Sequence, residues 1–130
     1  MERTPLLTGI GQVSMRASNL ERATRFYSDV LGLQFLFKGS EKLAFFDCGG
    51  LRLMLSVPES PEFDHPGSIL YFKVSDIQEA YQSLRAKGAS FRAEPHRVAT
   101  LANREVWMAF FDDSEGNLLA LMSNMMKQGS

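Results

Sequence analysis

Residues 18–33 read SNLERATRFYSDVLGL, and residues 75–91 read SDIQEAYQSLRAKGASF. Each opens on a short polar pair, Ser18-Asn19 or Ser75-Asp76, and then places apolar residues at helical spacing. In the first stretch Leu20, Ala23, Phe26, Tyr27, Val30 and Leu31 share one face; in the second Ile77, Ala80, Tyr81 and Leu84 do. Asn19 and Asp76 suit an N-cap, where a short side-chain oxygen accepts from a free N–H of the first turn. Gly32 and Gly88 suit the left-handed residue that ends a helix. One element is thus written twice, with a shift of 57 from Ser18 to Ser75.

The repeat continues outward. Gly32 and Phe35 fall on Gly88 and Phe91 at a shift of 56, and Phe45-Phe46-Asp47 on Phe110-Phe111-Asp112 at 65. Gly50, Leu53 and Leu55 fall on Gly116, Leu119 and Leu121 at 66. The shift changes only between elements, where loops absorb insertions. Strand-like runs cover about 8–17, 32–38, 41–48 and 51–56, then about 67–74, 90–97, 104–112 and 117–123. Gly49-Gly50 and Ser114-Glu115-Gly116-Asn117 read as hairpin turns. The chain is therefore expected to be α+β, with tandem βαβββ units over about 8–56 and 67–123. The stretch 56–66, with Pro58, Pro61 and Pro66, joins them, and residues 1–6 and 125–130 are expected to be loose ends.

At 130 residues and 45% apolar, the chain fits one domain over 1–130 with a real core. Its 14 basic and 15 acidic residues form no like-charged block, which argues against nucleic acid and against an anionic membrane surface as partners. No apolar run is long enough to span a bilayer, and no signal-peptide pattern is present. Cys48 is the only cysteine, so no internal disulfide forms, and a cytoplasmic location is expected. Cys48 itself reads as a small buried apolar residue rather than a nucleophile.

Three segments resemble the vicinal-oxygen-chelate superfamily, which includes glyoxalase I, bleomycin and fosfomycin resistance proteins and extradiol dioxygenases. Ser18–Ala23 with Phe26-Tyr27 and Val30–Leu33 resembles its first helix. Phe72–Ile77 resembles the start of its second unit. Phe111–Leu119 resembles its closing hairpin, with Ser114 in place of a proline. The resemblance implies a half-open, U-shaped mixed sheet with helices on the outer face, a ligand on the concave side, and a homodimer.

The family's metal enzymes take one ligand from the first and one from the last strand of each unit. Carried over by the resemblance, these positions are Gln12, Met54, Ile69 and Ala120, and the repeat links them as 12 with 69 and 54 with 120. A divalent cation needs converging oxygen or nitrogen donors. Gln12 alone could supply one, so no metal and no cofactor is expected. The pattern resembles the bleomycin resistance branch, which binds a ligand without metal or reaction.

Alternation along strands sends Ser14 with Gln12 and Arg52 with Met54 to the concave side. In the second unit Ile69, Tyr71 and Ala120 share that side. Alignment with the family adds Met108 and Phe110, with Leu43 and Phe45 as repeat partners; Ser56 shares the side of Met54, and Trp107, alternating with Met108, is left on the helix side or at a subunit interface. His96 is placed near a strand end at the pocket rim, where Glu105 of the next strand could join it as an acid–base or cation-binding pair. Each pick has a plainer reading. Gln12 could be a satisfied buried amide, Met54, Met108, Phe45 and Phe110 core filler, and His96 a lone surface histidine. Asp47 and Asp112 read as turn caps. His65 sits in the proline-rich linker. The expected function is binding of a small, partly apolar or aromatic molecule. The alternative is a glyoxalase-like lyase or isomerase using a non-standard metal site, or proton transfer by His96, Glu105 or Tyr71. A third reading is a purely structural dimerisation module.

Overall fold

The computed structural model describes residues 6–64 and 67–126. The first unit runs β1 (Gln12–Arg16), α1 (Leu20–Arg25), β2 (Gln34–Ser40), β3 (Leu43–Cys48) and β4 (Leu51–Ser56). The second runs β5 (Leu70–Lys73), α2 (Ile77–Ala86), β6 (Ser90–Phe91), β7 (His96–Thr100), β8 (Arg104–Asp112) and β9 (Leu118–Met126). Asn19 and Asp76 cap α1 and α2 as expected, accepting from the N–H groups of Arg22 and Glu79. Gly32 and Gly88 adopt positive φ, at 74° and 101°, in keeping with their place after each helix.

Two open mixed sheets result. Their orders are β1-β4-β3-β2 and β5-β9-β8-β6, with β7 also on β8. In each, the first strand pairs in parallel with the last, and the other pairings are antiparallel. The repeat holds at the level of register. Ser14 lies opposite Met54 and Tyr71 opposite Ala120, while Phe45 also faces Met54 and Phe110 faces Ala120. Met15, Phe46, Leu53, Leu55, Phe111, Leu119 and Leu121 point to the other side, where Leu20, Ala23, Tyr27 and Ile77 of the helical segments join them in one buried cluster.

Several boundaries differ from the sequence reading. Helix α1 is short, and Phe26–Val30 continues it as a π-helical turn, with Leu31 N donating to Phe26 O at 3.0 Å. The run expected at 90–97 is two strands. Arg92 N donates to Phe110 O, and Pro95, which has no N–H, then precedes a fresh start at His96. His96 therefore begins a strand rather than ending one. Strand β9 runs on through Met126, so residues 125 and 126 are not loose. Strands β1 and β5 are shorter than expected, starting at Gln12 and Leu70. His65, Pro66 and the chain ends at 1–5 and 127–130 lie outside the described residues.

The two units are locked by the turn between β8 and β9. Glu115 Oε1 accepts from Ser18 N and Asn19 N, each at 2.9 Å, and from the Ser18 hydroxyl; its Oε2 accepts from Arg22 Nε at 2.7 Å. Asp113 accepts from the buried Tyr27 hydroxyl at 2.7 Å, and Asn117 Nδ2 donates to Arg16 O at 2.8 Å. The Glu115 side chain is 1% exposed. Burial alone would raise its pKa, but the bonds from Arg22, Asn19 N–H, Ser114 and Ser18 outweigh it and hold the group at about 2. Burial, then the Asp113 carboxylate, push the Tyr27 phenol far above its ordinary range.

A carboxylate held below its ordinary value near 4.5 stabilises the fold above that pH and ceases to do so as pH falls toward 2. Glu115→Gln should therefore cost about 2 kcal/mol at pH 7 in urea denaturation. The gap between parent and variant should close as pH falls from 4.5 to 2. A gap that stays constant with pH would contradict this account.

Candidate functional site

With the helices covering one face of each sheet, the other faces are open. On the first sheet that face carries Gln12, Ser14, Phe45, Arg52 and Met54, as alternation required. The Phe45 ring stacks on Phe37 at 4.6 Å between centroids and takes the Arg52 guanidinium at 5.1 Å. Phe37 reaches this face because β2 shifts register between Phe35 and Phe37; without the shift the two rings would share one side. Gln12 Oε1 accepts from Arg52 Nε at 3.2 Å, and Gln12 Nε2 lies 3.7 Å from Met54 Sδ.

A hollow of about 420 Å³ opens on this face. Ser14, Leu43, Met54, Ser56, Val57 and Phe63 form much of its wall, with Arg16, Lys42 and Glu59 also lining it. Arg16 is tied to Asp64 at 2.6 Å. The sequence turned Ser14, Leu43, Met54 and Ser56 to this side but missed Lys42, Val57, Glu59 and Phe63. Those residues sit at strand ends and in the segment joining the units, where no periodicity marks a face.

The second sheet's open face carries Tyr71, Met108, Phe110, Ala120 and His96. Tyr71 and Phe110 meet edge to face at 6.0 Å and, in register on either side of it, flank the fully buried Ala120. Ile69, just before β5, is 38% exposed. His96, Phe110, Leu118, Arg92 and Ala93 line a separate hollow of about 330 Å³. His96 Nδ1 lies 3.4 Å from Glu94 O.

The expected pair of His96 with Glu105 does not form. His96 is in register with Met108, whereas Glu105 is three residues earlier on β8 and so on the opposite face. There it accepts from Trp107 Nε1 at 3.1 Å and from Arg97 at 3.3 Å. Trp107 packs against the core on the helix side, as expected. Asp112 is not the turn cap expected of it: it pairs with Arg92 at 2.8 Å, and the neighbouring Asp113 accepts from Glu115 N and Asn117 N instead. Arg92 was not anticipated. Cys48 is half-buried, and burial, then Asp47, raise its thiol pKa, which keeps it protonated.

The four positions that the repeat links do not fit a divalent cation. Ile69 and Ala120 are hydrocarbon, Met54 offers a soft thioether, and the Gln12 oxygen is already turned to a guanidinium. Among the described residues no group of three His, Cys, Asp or Glu side chains is placed to hold a metal ion. Nor is any described helix long and apolar enough to cross a membrane.

Comparison with known proteins gives concordant results. The family model described as Glyoxalase/Bleomycin resistance protein/Dioxygenase superfamily matches residues 9–121. An uncharacterized protein of Bacillus subtilis, YurT, is 29% identical over 126 residues, covering 84% of this chain and 94% of that protein. Metallothiol transferase FosB of Staphylococcus haemolyticus is 26% identical over 128 residues, covering 94% of this chain and 88% of that one. The crystal structure of a glyoxalase/bleomycin resistance protein/dioxygenase superfamily member from Sphaerobacter thermophilus superposes with a TM-score of 0.75 at 21% identity, covering 92% of this chain and 99% of the other.

The aromatic stack has a tight neighbour. A Cβ on Gly39 would stand 2.8 Å from Phe45 Cε2. Gly39→Ala should push the Phe45 ring from its place and cost about 1–3 kcal/mol in thermal or urea unfolding. A variant as stable as the parent would show that the ring moves freely.

Proposed function

The chain belongs to the glyoxalase/bleomycin resistance protein/dioxygenase superfamily, and from that premise we propose that it binds a small, partly apolar or aromatic molecule on the open face of its first sheet, without a divalent metal at the repeat-linked positions. The observation that carries this reading is the Gln12–Arg52 hydrogen bond of 3.2 Å. It turns the one oxygen donor of the four positions toward a cation, and a second cation there would be repelled. The hollow of about 420 Å³, apolar with a few polar groups, supports small-molecule binding. The ligand would lie along Ser14, Met54 and Leu43 beside the Phe37–Phe45 stack. The second sheet's face, with Ile69, Tyr71, Met108, Phe110, Ala120 and His96, is a subsidiary surface of the same kind. On the family's pattern we place the protein in the cytosol as a homodimer, a state that light scattering reads directly.

The second reading is an enzyme. It draws on the relative named a metallothiol transferase. His96 and Tyr71 face the second sheet's open side and would be its proton-transfer groups; Glu105, on the other face, would not act with His96.

Metal analysis separates the two. Protein dialysed against manganese or zinc and then desalted should retain substoichiometric metal. A full equivalent that Gln12→Ala abolishes would overturn the metal-free reading. Thermal-shift screening tests binding itself. A ligand at about 100 times its Kd adds about 2.7 kcal/mol to the stability of the folded state, enough for a clear rise in melting temperature.

A further inference from the structure

Arg52 is held in place by its neighbours yet pairs with no carboxylate among the described residues. Arg16, Arg22, Arg92 and Arg97 each reach an acid within 3.3 Å. Arg52 does not, nor do Arg25, Arg85 and Arg104 among the described residues, although Asp47 stands directly across from Arg52 on β3. Residues so opposed have their Cβ atoms about 5 Å apart, close enough for a pair to form. The side chain instead lies against the Phe45 ring at 5.1 Å and spends Nε on Gln12 Oε1 at 3.2 Å. Two fixed contacts thus set the guanidinium plane, and its Nη1 and Nη2 atoms have no protein acceptor among the described residues.

We propose that Arg52 is a carboxylate anchor: it takes the two oxygens of a ligand carboxylate on Nη1 and Nη2, while the ligand's apolar body lies over Met54 toward the hollow beyond it. This deepens, and rests on, the reading that the first sheet's open face binds a small molecule. A guanidinium fork matches the planar carboxylate, and such charge-assisted pairs are the strong hydrogen bonds of binding sites. Because the fork is already oriented, little side-chain freedom is lost on binding. The same charge rejects amines, so selectivity comes from repulsion as well as attraction. Gln12 is here a positioning residue, turning its oxygen to Nε and so fixing which edge of the fork faces the ligand.

The test uses three probes with one body: 4-phenylbutyrate, 4-phenylbutyramide and 4-phenylbutylamine, titrated into the full chain by calorimetry at pH 7.5. The acid should bind at least about tenfold more tightly than the amide, with the amine weakest. Arg52→Met should bring acid and amide to parity while the free protein stays folded, with a melting temperature lower by no more than a few degrees for the lost contacts to Phe45 and Gln12. Arg52→Lys should restore part of the preference, and Gln12→Leu should reduce it. Equal binding of acid and amide by the parent would overturn the anchor and leave the binding face standing. A preference that survives Arg52→Met but vanishes in Lys42→Met would overturn it too, assigning the role to the hollow's lysine. If none of the three probes binds at millimolar concentration, the anchor and the binding face both fall.

Discussion

One buried carboxylate holds the two halves of this molecule in register. Glu115 sits in the turn between the last two strands, yet its hydrogen bonds go to the first helix, 93 to 97 residues earlier in the chain. A six-residue helix is too short to be stable alone, and its free N–H groups need acceptors. Asn19 supplies one from its own unit, and Glu115, from the other, accepts from the two N–H groups just before the helix, those of Ser18 and Asn19, and from the Arg22 side chain. Asp113 in the same turn takes the Tyr27 hydroxyl, and Asn117 reaches the end of β1. Removing a partner would leave the buried Glu115 carboxylate, or the buried Tyr27 hydroxyl, short of a bond, which is why such a group costs so much to lose.

That lock leaves the sheet faces opposite the helices open, and the two faces have diverged. At matched register the first holds Ser14 beside Met54, and the second holds Tyr71 beside Ala120. Each pair sets one large side chain against one small, but with the order reversed. In the second copy the tyrosine and Phe110 close over the alanine, which is fully buried. In the first, the serine leaves room beside the methionine, and a larger hollow remains. The repeat gives the two halves one frame, and the reversed order of bulk between neighbouring strands goes with the deeper hollow in the first.

The fold was legible because its signals are local and periodic. The N-cap residues, the glycines after each helix and the alternation of β3, β4, β8 and β9 all stand in the sequence at fixed spacing. The same alternation put Gln12, Ser14, Arg52 and Met54 on one face. Features that depend on contacts distant in sequence were not legible. The pairing of Arg22 with Glu115 has no periodic signature, and the acid of the turn was assigned one residue too early, to Asp112 rather than Asp113. The pairing of His96 with Glu105 failed for a different reason. Proximity in sequence suggested it, but the register of β7 on β8 put Met108 opposite His96 and sent Glu105 to the far side. The walls of the larger hollow come partly from Lys42, Val57 and Phe63, outside any strand, where pattern has no purchase.

The lock also runs in one direction only. The turn of the second copy, Asp113 to Asn117, caps the helix of the first. The corresponding Gly49-Gly50 turn has no acid between its strands, and among the described residues it makes no matching bond to Ser75 or Asp76 at the start of α2. A pair of identical ancestral units would have exchanged such a cap both ways or not at all. In the present chain the two turns therefore bear unequal structural loads. The second copy's turn needs its acid for its neighbour's sake, while the first copy's turn is two glycines that serve only their own hairpin. Halves that still superimpose by register are no longer interchangeable parts, and drift in one is constrained by the needs of the other.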